Sequence, residues 1–322
     1  MIKIINPGIY VSVQDKGRNG YFEMAMPPSG AMDEYSFIAA NLLVGNEENA
    51  ACLEVTYLGP TIEFQEDYTI AITGGEMPPK INGERIPMWQ SVQVKTGDIL
   101  SFDFITKGAR TYIAISGGID VPVVMGARST YTSIGIGGYK GRPLKEGDVL
   151  ESRIGNHDHV HKELPSSYIP NFKTDYEINV VLGMCSYRFT EDSIKDFFEC
   201  EWKVTPEADR VGYRLKGIQL QFKEREQPFG AGSNPSNIVD SGYPIGSIQI
   251  PNGTEPIVLL RDGVTCGGFV TLGTVVSSDL NTMGQIKTGE TIKFNQVSME
   301  EALTIRKNYQ SRVNQLKNYL LS

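Results

Sequence analysis

Cysteine is scarce in this 322-residue chain, and Cys52, Cys185, Cys200 and Cys266 are scattered with no C-x-x-C spacing. A disulfide framework and a cysteine-based zinc site are therefore excluded as organising devices. Basic runs are missing too: 30 Lys+Arg against 38 Asp+Glu leave a formal charge of −8, so no nucleic-acid partner is expected. No apolar run approaches the length that spans a bilayer, and the opening Met-Ile-Lys-Ile-Ile-Asn-Pro-Gly has no signal-peptide core. The expectation is a cytoplasmic protein with no membrane partner. A phosphate-binding G-x-x-x-x-G-K-[ST] occurs nowhere.

Histidine is the rarest of the catalytic side chains, with only His157, His159 and His161. Their alternation could set three rings on one face of an extended strand and chelate a transition metal. The polar, proline-bearing continuation over 163–170 reads instead as an interdomain linker, and no metal site is expected. With imidazole confined there, proton transfer falls to Asp, Glu, Tyr, Lys or a residue of another chain.

What is present is a series of short β-branched or aromatic runs, 2–5, 10–13, 61–64, 68–72, 92–94, 98–104 and 111–115, separated by Gly, Pro, Asn and Asp. That is the pattern of an all-β barrel or sandwich. One helix interrupts it, over 34–44, with Asp33 as cap, Phe37, Ile38, Leu42 and Val44 as apolar stripe and Gly45-Asn46 as stop. Further strands are expected at 176–182, 202–205, 211–215, 218–222, 247–250, 256–260 and 269–276, with a short helix over 190–198. Ser298 and Glu301 form a capping box, and Ala302, Ile305, Tyr309, Val313, Leu316 and Leu320 continue it into a C-terminal helix. The length suits two domains, divided as 1–160 and 161–322.

The stretch from Gly126 to Arg142 stands out, with four glycines in seven positions, Arg128 and Arg142, four Ser/Thr hydroxyls and no carboxylate. Backbone N–H groups of Gly137 and Gly138 with two guanidiniums could converge on an anion. A glycine-rich turn of a barrel with two surface arginines has the same composition. Ser29 and Asp33 could act chemically or merely cap; Glu54 could be buried or face solvent; Asp262, before Gly263, could be catalytic or form an Asx turn.

Read as phrases, the motifs resemble one family: Asp15-x-Gly17-Arg18-x-Gly20-Tyr21, Ser29-Gly30-Ala31-Met32-Asp33-x-x-Ser36, Ala40-Asn41-x-x-Val44-Gly45-Asn46, Leu53-Glu54-x-Thr56-x-x-Gly59-Pro60 and Ala127-Arg128-Ser129-Thr130. Asp209-Arg210-x-Gly212-Tyr213, Gly246-Ser247-Ile248-Gln249-Ile250-Pro251, Asp262-Gly263-x-Thr265-x-Gly267-Gly268-Phe269 and Ser278-Asp279-Leu280 extend the likeness through the second half. These phrases are similar to the carboxyltransferase-like family that includes the second component of allophanate hydrolase, the C component of 5-oxoprolinase and the antagonist of the sporulation-kinase inhibitor KipI. The resemblance implies a mainly-β fold of two barrel subdomains, cyclophilin-like, with few helices. It implies a B-type partner and, for a 5-oxoprolinase, an A-type partner, ATP and Mg²⁺, with 5-oxo-L-proline opened to L-glutamate.

The same resemblance allows two other functions: the carboxyltransferase part of a biotin-dependent urea or amide carboxylase, or a regulator binding a kinase-inhibitor protein. The chain carries neither a biotin-attachment Met-Lys-Met nor a Gly-Ser-Ser amidase signature, so no covalent biotin is expected on it. Lactam opening through phosphorylation of the amide oxygen needs a carboxylate for protons or Mg²⁺, and Asp33, Glu54 and Asp262 suit that catalytic role. It also needs groups that contact substrate or anion, for which the candidates are Arg18, Ser29, Arg128, Ser129, Gly137, Gly138, Arg142, Gln249, Thr265, Gly267 and Gly268.

Overall fold

Alternation sets the first strand: Ile2 and Ile4 are fully buried while Lys3 and Ile5 are exposed, as a half-buried strand with a period of two requires. The computed structural model describes residues 1–152 and 162–321, so the histidine cluster lies outside the described residues. Its residues form two units. Met1–Asn19, Ser29–Lys173 and Arg312–Ser322 make the first, and Gly20–Pro28 with Thr174–Ser311 the second.

The first unit holds two sheets. A seven-stranded sheet runs in the order Ile119–Asp120, Val149–Ser152, Ile2–Asn6, Thr61–Phe64, Ile99–Phe102, Pro79–Ile81, Glu84–Arg85. A five-stranded antiparallel sheet runs Tyr10–Gln14, Cys52–Thr56, Lys107–Ile115, Tyr68–Glu76, Ser91–Val94. Ile4, Ile62 and Leu100 of the first meet Val13, Leu53 and Ile113 of the second in one core. Residues 68–75 are buried without alternation, because helix α1 (Glu34–Leu43) covers the other face of that sheet.

Helix α1 starts where the sequence says it should. Asp33 is in the β region and its carboxylate accepts from Ser36 N (3.1 Å) and Ser36 Oγ (2.6 Å), satisfying an orphan donor of the first turn. Gly45, at φ 74°, ends it.

The second unit is built on a closed seven-stranded barrel in the order Asp175–Leu182, Thr271–Val275, Ser247–Gln249, Ile257–Leu259, Gly212–Lys216, Glu201–Ala208, Thr291–Gln296. A parallel pairing of Asp175–Leu182 with Thr291–Gln296 closes the ring. Helix α2 (Glu191–Glu199) is capped by Thr190, and its Phe197 stacks on Phe294 at 4.9 Å. Helix α3 (Leu280–Met283) is a single turn, and α4 (Met299–Leu321) opens on the expected box, with Ser298 N donating to Glu301 Oε2 and Glu301 N to Ser298 Oγ. From Arg312 onward α4 belongs to the first unit, where Val313, Leu316 and Leu320 of its stripe are buried and Arg312 lies over the Tyr35 ring.

The mainly-β architecture, the closed barrel and the long C-terminal helix are as the sequence led us to expect. The expected strand at 218–222 is absent. Leu220 N bonds instead to Gly253 O, at a 3-10 turn, and only an isolated bridge joins Phe222 to Phe189. The strand Asn237–Gly242, which pairs with Cys266–Phe269 in a two-stranded ribbon, was not expected, because its β-branched pair Ile238-Val239 stands alone among Asn, Asp, Ser and Gly.

Candidate functional site

The glycine loop folds on itself. Gly137 (φ 66°) and Gly138 (φ 51°) sit so close to their neighbours that a Cβ would collide with the Ser129 carbonyl and the Thr130 hydroxyl respectively. Gly138 N donates to Arg128 O at 2.9 Å, so that amide faces its own loop. Arg142 forks around Asp148 at 2.7 and 2.8 Å and donates to Pro143 O as well. That pairing holds the Asp148 carboxyl below the usual carboxylate range. Arg128 is different. Its backbone is pinned, with N donating to Asp15 Oδ2 at 2.6 Å, while no described residue pairs with its guanidinium.

Beneath the loop lies a ring of buried polar groups. Asp15 accepts from Gly17 N and Ser129 Oγ as well as Arg128 N, and Arg18, 1% exposed, donates to Ser129 O at 2.7 Å. Ser29 is left-handed at φ 53°, and its buried Oγ has no hydrogen-bond partner among the described residues. The Ala31 N–H donates to Asp15 O, and a Cβ on Gly30 would strike the backbone of residues 15–17. Glu54, 1% exposed, accepts from Met32 N and from Tyr112 Oη, both at 2.8 Å, with Arg110 3.8 Å away. Burial, reinforced by Glu54, pushes the Tyr112 phenol well above its ordinary range, so it remains a donor. Glu54 is thus the acceptor that fixes the Ser29–Asp33 turn.

Arg128 borders a cavity of about 340 Å³ lined also by Asn46, Asn49, Ala50, Gly117 and Gly118. Asn46 is a fully bonded wall, donating to Asn41 Oδ1 and Ile115 O and accepting from Gly117 N. From its place in the chain Asn46 was read as a helix stop and as one residue of a family phrase, and Asn49 carried no signal at all. Their side chains matter through pairings remote in the chain, which no local pattern encodes.

The second unit gathers three expected residues at another cavity. Gln249, Gly267 and Gly268 line a space of about 710 Å³ with Tyr243, Val264, Phe269, Ile257 and Leu259. Tyr243 Oη receives from Phe269 N and donates to Phe269 O, both at 2.7 Å, which ties the ribbon in place. Burial raises the Tyr243 phenol. Thr265 is buried nearby in sequence, its carbonyl accepting from Tyr243 N. Asp262 is held by Arg210, with Nε to Oδ2 at 2.9 Å and Nη2 to Oδ1 at 3.1 Å, both side chains nearly inaccessible. Among the described residues, no group of three His, Cys, Asp or Glu could hold a metal ion, and no helix is long and apolar enough to cross a membrane.

Known proteins resemble this chain in sequence and fold. The chain is 38% identical over 314 residues to urea amidolyase of Saccharomyces cerevisiae, covering 95% of this chain but 17% of that protein. It is 34% identical to the C component of Escherichia coli 5-oxoprolinase, across 98% of this chain and 97% of that one. The crystal structure of Kluyveromyces lactis urea carboxylase superposes with a TM-score of 0.92 at 37% identity, over 98% of this chain and 29% of that one. The chain thus spans about a sixth of the length of the amidolyase. The family model described as carboxyltransferase domain, subdomain A and B, matches residues 24–296, and the chain belongs to that family.

Proposed function

We propose that this chain is the C component of a prokaryotic ATP-dependent 5-oxoprolinase, working with A and B components to convert 5-oxo-L-proline to L-glutamate. One observation carries the reading: the likeness to the C component of E. coli 5-oxoprolinase covers nearly all of both proteins. Opening a lactam requires its resonance-stabilised carbonyl to be made electrophilic, and phosphorylation of the amide oxygen would do so. Among the described residues no group of three His, Cys, Asp or Glu could hold a metal ion, and ATP and Mg²⁺ are assigned in this reading to the assembled complex. Asp33, Glu54 and Asp262 are each engaged by donors of their own chain. In this reading they act as positioning residues.

The test is reconstitution. The chain mixed with its A and B partners should hydrolyse ATP in step with 5-oxoproline consumption, and be inactive alone. An assembled complex that leaves 5-oxoproline untouched would remove the proposal. The TM-score of 0.92 with urea carboxylase favours a second reading, a carboxyltransferase component, under which a biotinylated carrier should copurify.

A further inference from the structure

We propose that the cavity beside the end of α1 is a binding site for a small monocarboxylate, anchored by the Arg128 guanidinium and the Asn49 carboxamide. The volume, about 340 Å³, lies at the small end of ligand pockets, which run from about 300 to 1,000 Å³. It suits a compact organic acid better than a nucleotide.

Arg128 is the cation of this cavity, and its guanidinium has no partner among the described residues although its backbone is fixed on both sides. An arginine so placed contrasts with Arg142, whose fork is filled by Asp148. Asn49 supplies a donor in a known orientation. Its Oδ1 accepts from Lys16 N at 2.9 Å, which fixes the flip and leaves Nδ2 without an acceptor among the described residues. A carboxylate matches a guanidinium fork in two parallel hydrogen bonds, and a neighbouring amide can serve its remaining lone pairs.

Charge selects against more highly charged anions. The lining holds one arginine and one carboxylate, the exposed Glu47, so a single negative charge is balanced at Arg128 while a dianion would add repulsion from Glu47. The walls are stiff, since Asn46 is bonded to three partners and a Cβ on Gly118 would press on Ala50. The site stands on this geometry alone; that its natural ligand is the carboxylate of 5-oxo-L-proline rests on the function proposed above.

Calorimetric titration of the full chain at low salt and pH 7, with 5-oxo-L-proline, acetate and pyrrolidin-2-one as probes, tests it. The two carboxylates should bind and compete, while pyrrolidin-2-one, the same ring without the carboxylate, binds at least about tenfold more weakly. Arg128→Ala should weaken 5-oxo-L-proline at least about tenfold, Arg128→Lys less, and Glu47→Gln should tighten it about two- to threefold. The proposal is overturned if no carboxylate binds up to about 10 mM, or if Arg128→Ala binds it as well as the parent. If the wild-type complex consumes 5-oxoproline while binding ignores Arg128, the site fails and the function stands. If Arg128-dependent binding persists but the complex leaves 5-oxoproline untouched, the site stands and the function fails.

Discussion

Arg210 in the second unit and Arg128 in the first are opposite uses of one side chain. Arg210 is buried with both arms on Asp262, so its charge is matched inside the fold. Arg128 has a rigid backbone and a guanidinium that no described residue engages, beside a cavity. A buried pair contributes to stability chiefly by never being broken, whereas an unmatched cation at a cavity wall contributes little to the fold and is available to a ligand. The difference assigns arginines by what their forks already hold, and Arg142 falls with Arg210.

The largest expected effect comes from breaking the buried pair. Asp262→Ala should cost about 3–5 kcal/mol of stability in denaturant unfolding, because Arg210 is left buried with an unmatched charge. A cost under about 1 kcal/mol would erase the contrast. Gly137→Ala comes next, at about 2 kcal/mol or more, since it imposes a left-handed backbone and a collision with Ser129 O. It should also weaken carboxylate binding, because the same loop supports Arg128. Asp148→Asn should cost about 1–2 kcal/mol, being partly solvated on the arginine side. The Asp148 carboxyl is depressed in the fold, so its stabilisation is complete above the ordinary carboxylate pKa of about 4 and disappears as pH falls through the lowered value. The variant should therefore flatten that part of the acid unfolding curve. Smallest of all, Arg128→Ala should shift stability by less than about 0.5 kcal/mol in the same melts.

The fold was largely legible in the chain. Asp33 and Gly45 mark both ends of α1, and Ser298 with Glu301 opens α4, because these are local hydrogen bonds between residues close in sequence. The ribbon strand Asn237–Gly242 was not legible, since only Ile238 and Val239 among its residues favour a strand and its pairing is with a distant segment. In the glycine loop, Gly137 and Gly138 allow the close approach of Ser129 and Thr130, and the Gly138 amide is taken up by Arg128 O. What distinguishes Arg128 from Arg142 is the presence of Asp148 six residues after the latter, visible in the sequence but meaningful only once the turn brings them together.

The most direct measurement is the KM for 5-oxo-L-proline of the reconstituted complex carrying Arg128→Ala, taken beside the melting temperature of the isolated variant. We predict a KM raised at least about tenfold, since removing a ground-state anchor weakens binding, with a melting temperature within about 2 °C of the parent. An unchanged KM, or a melting temperature lowered as far as that of Asp262→Ala, would contradict the account.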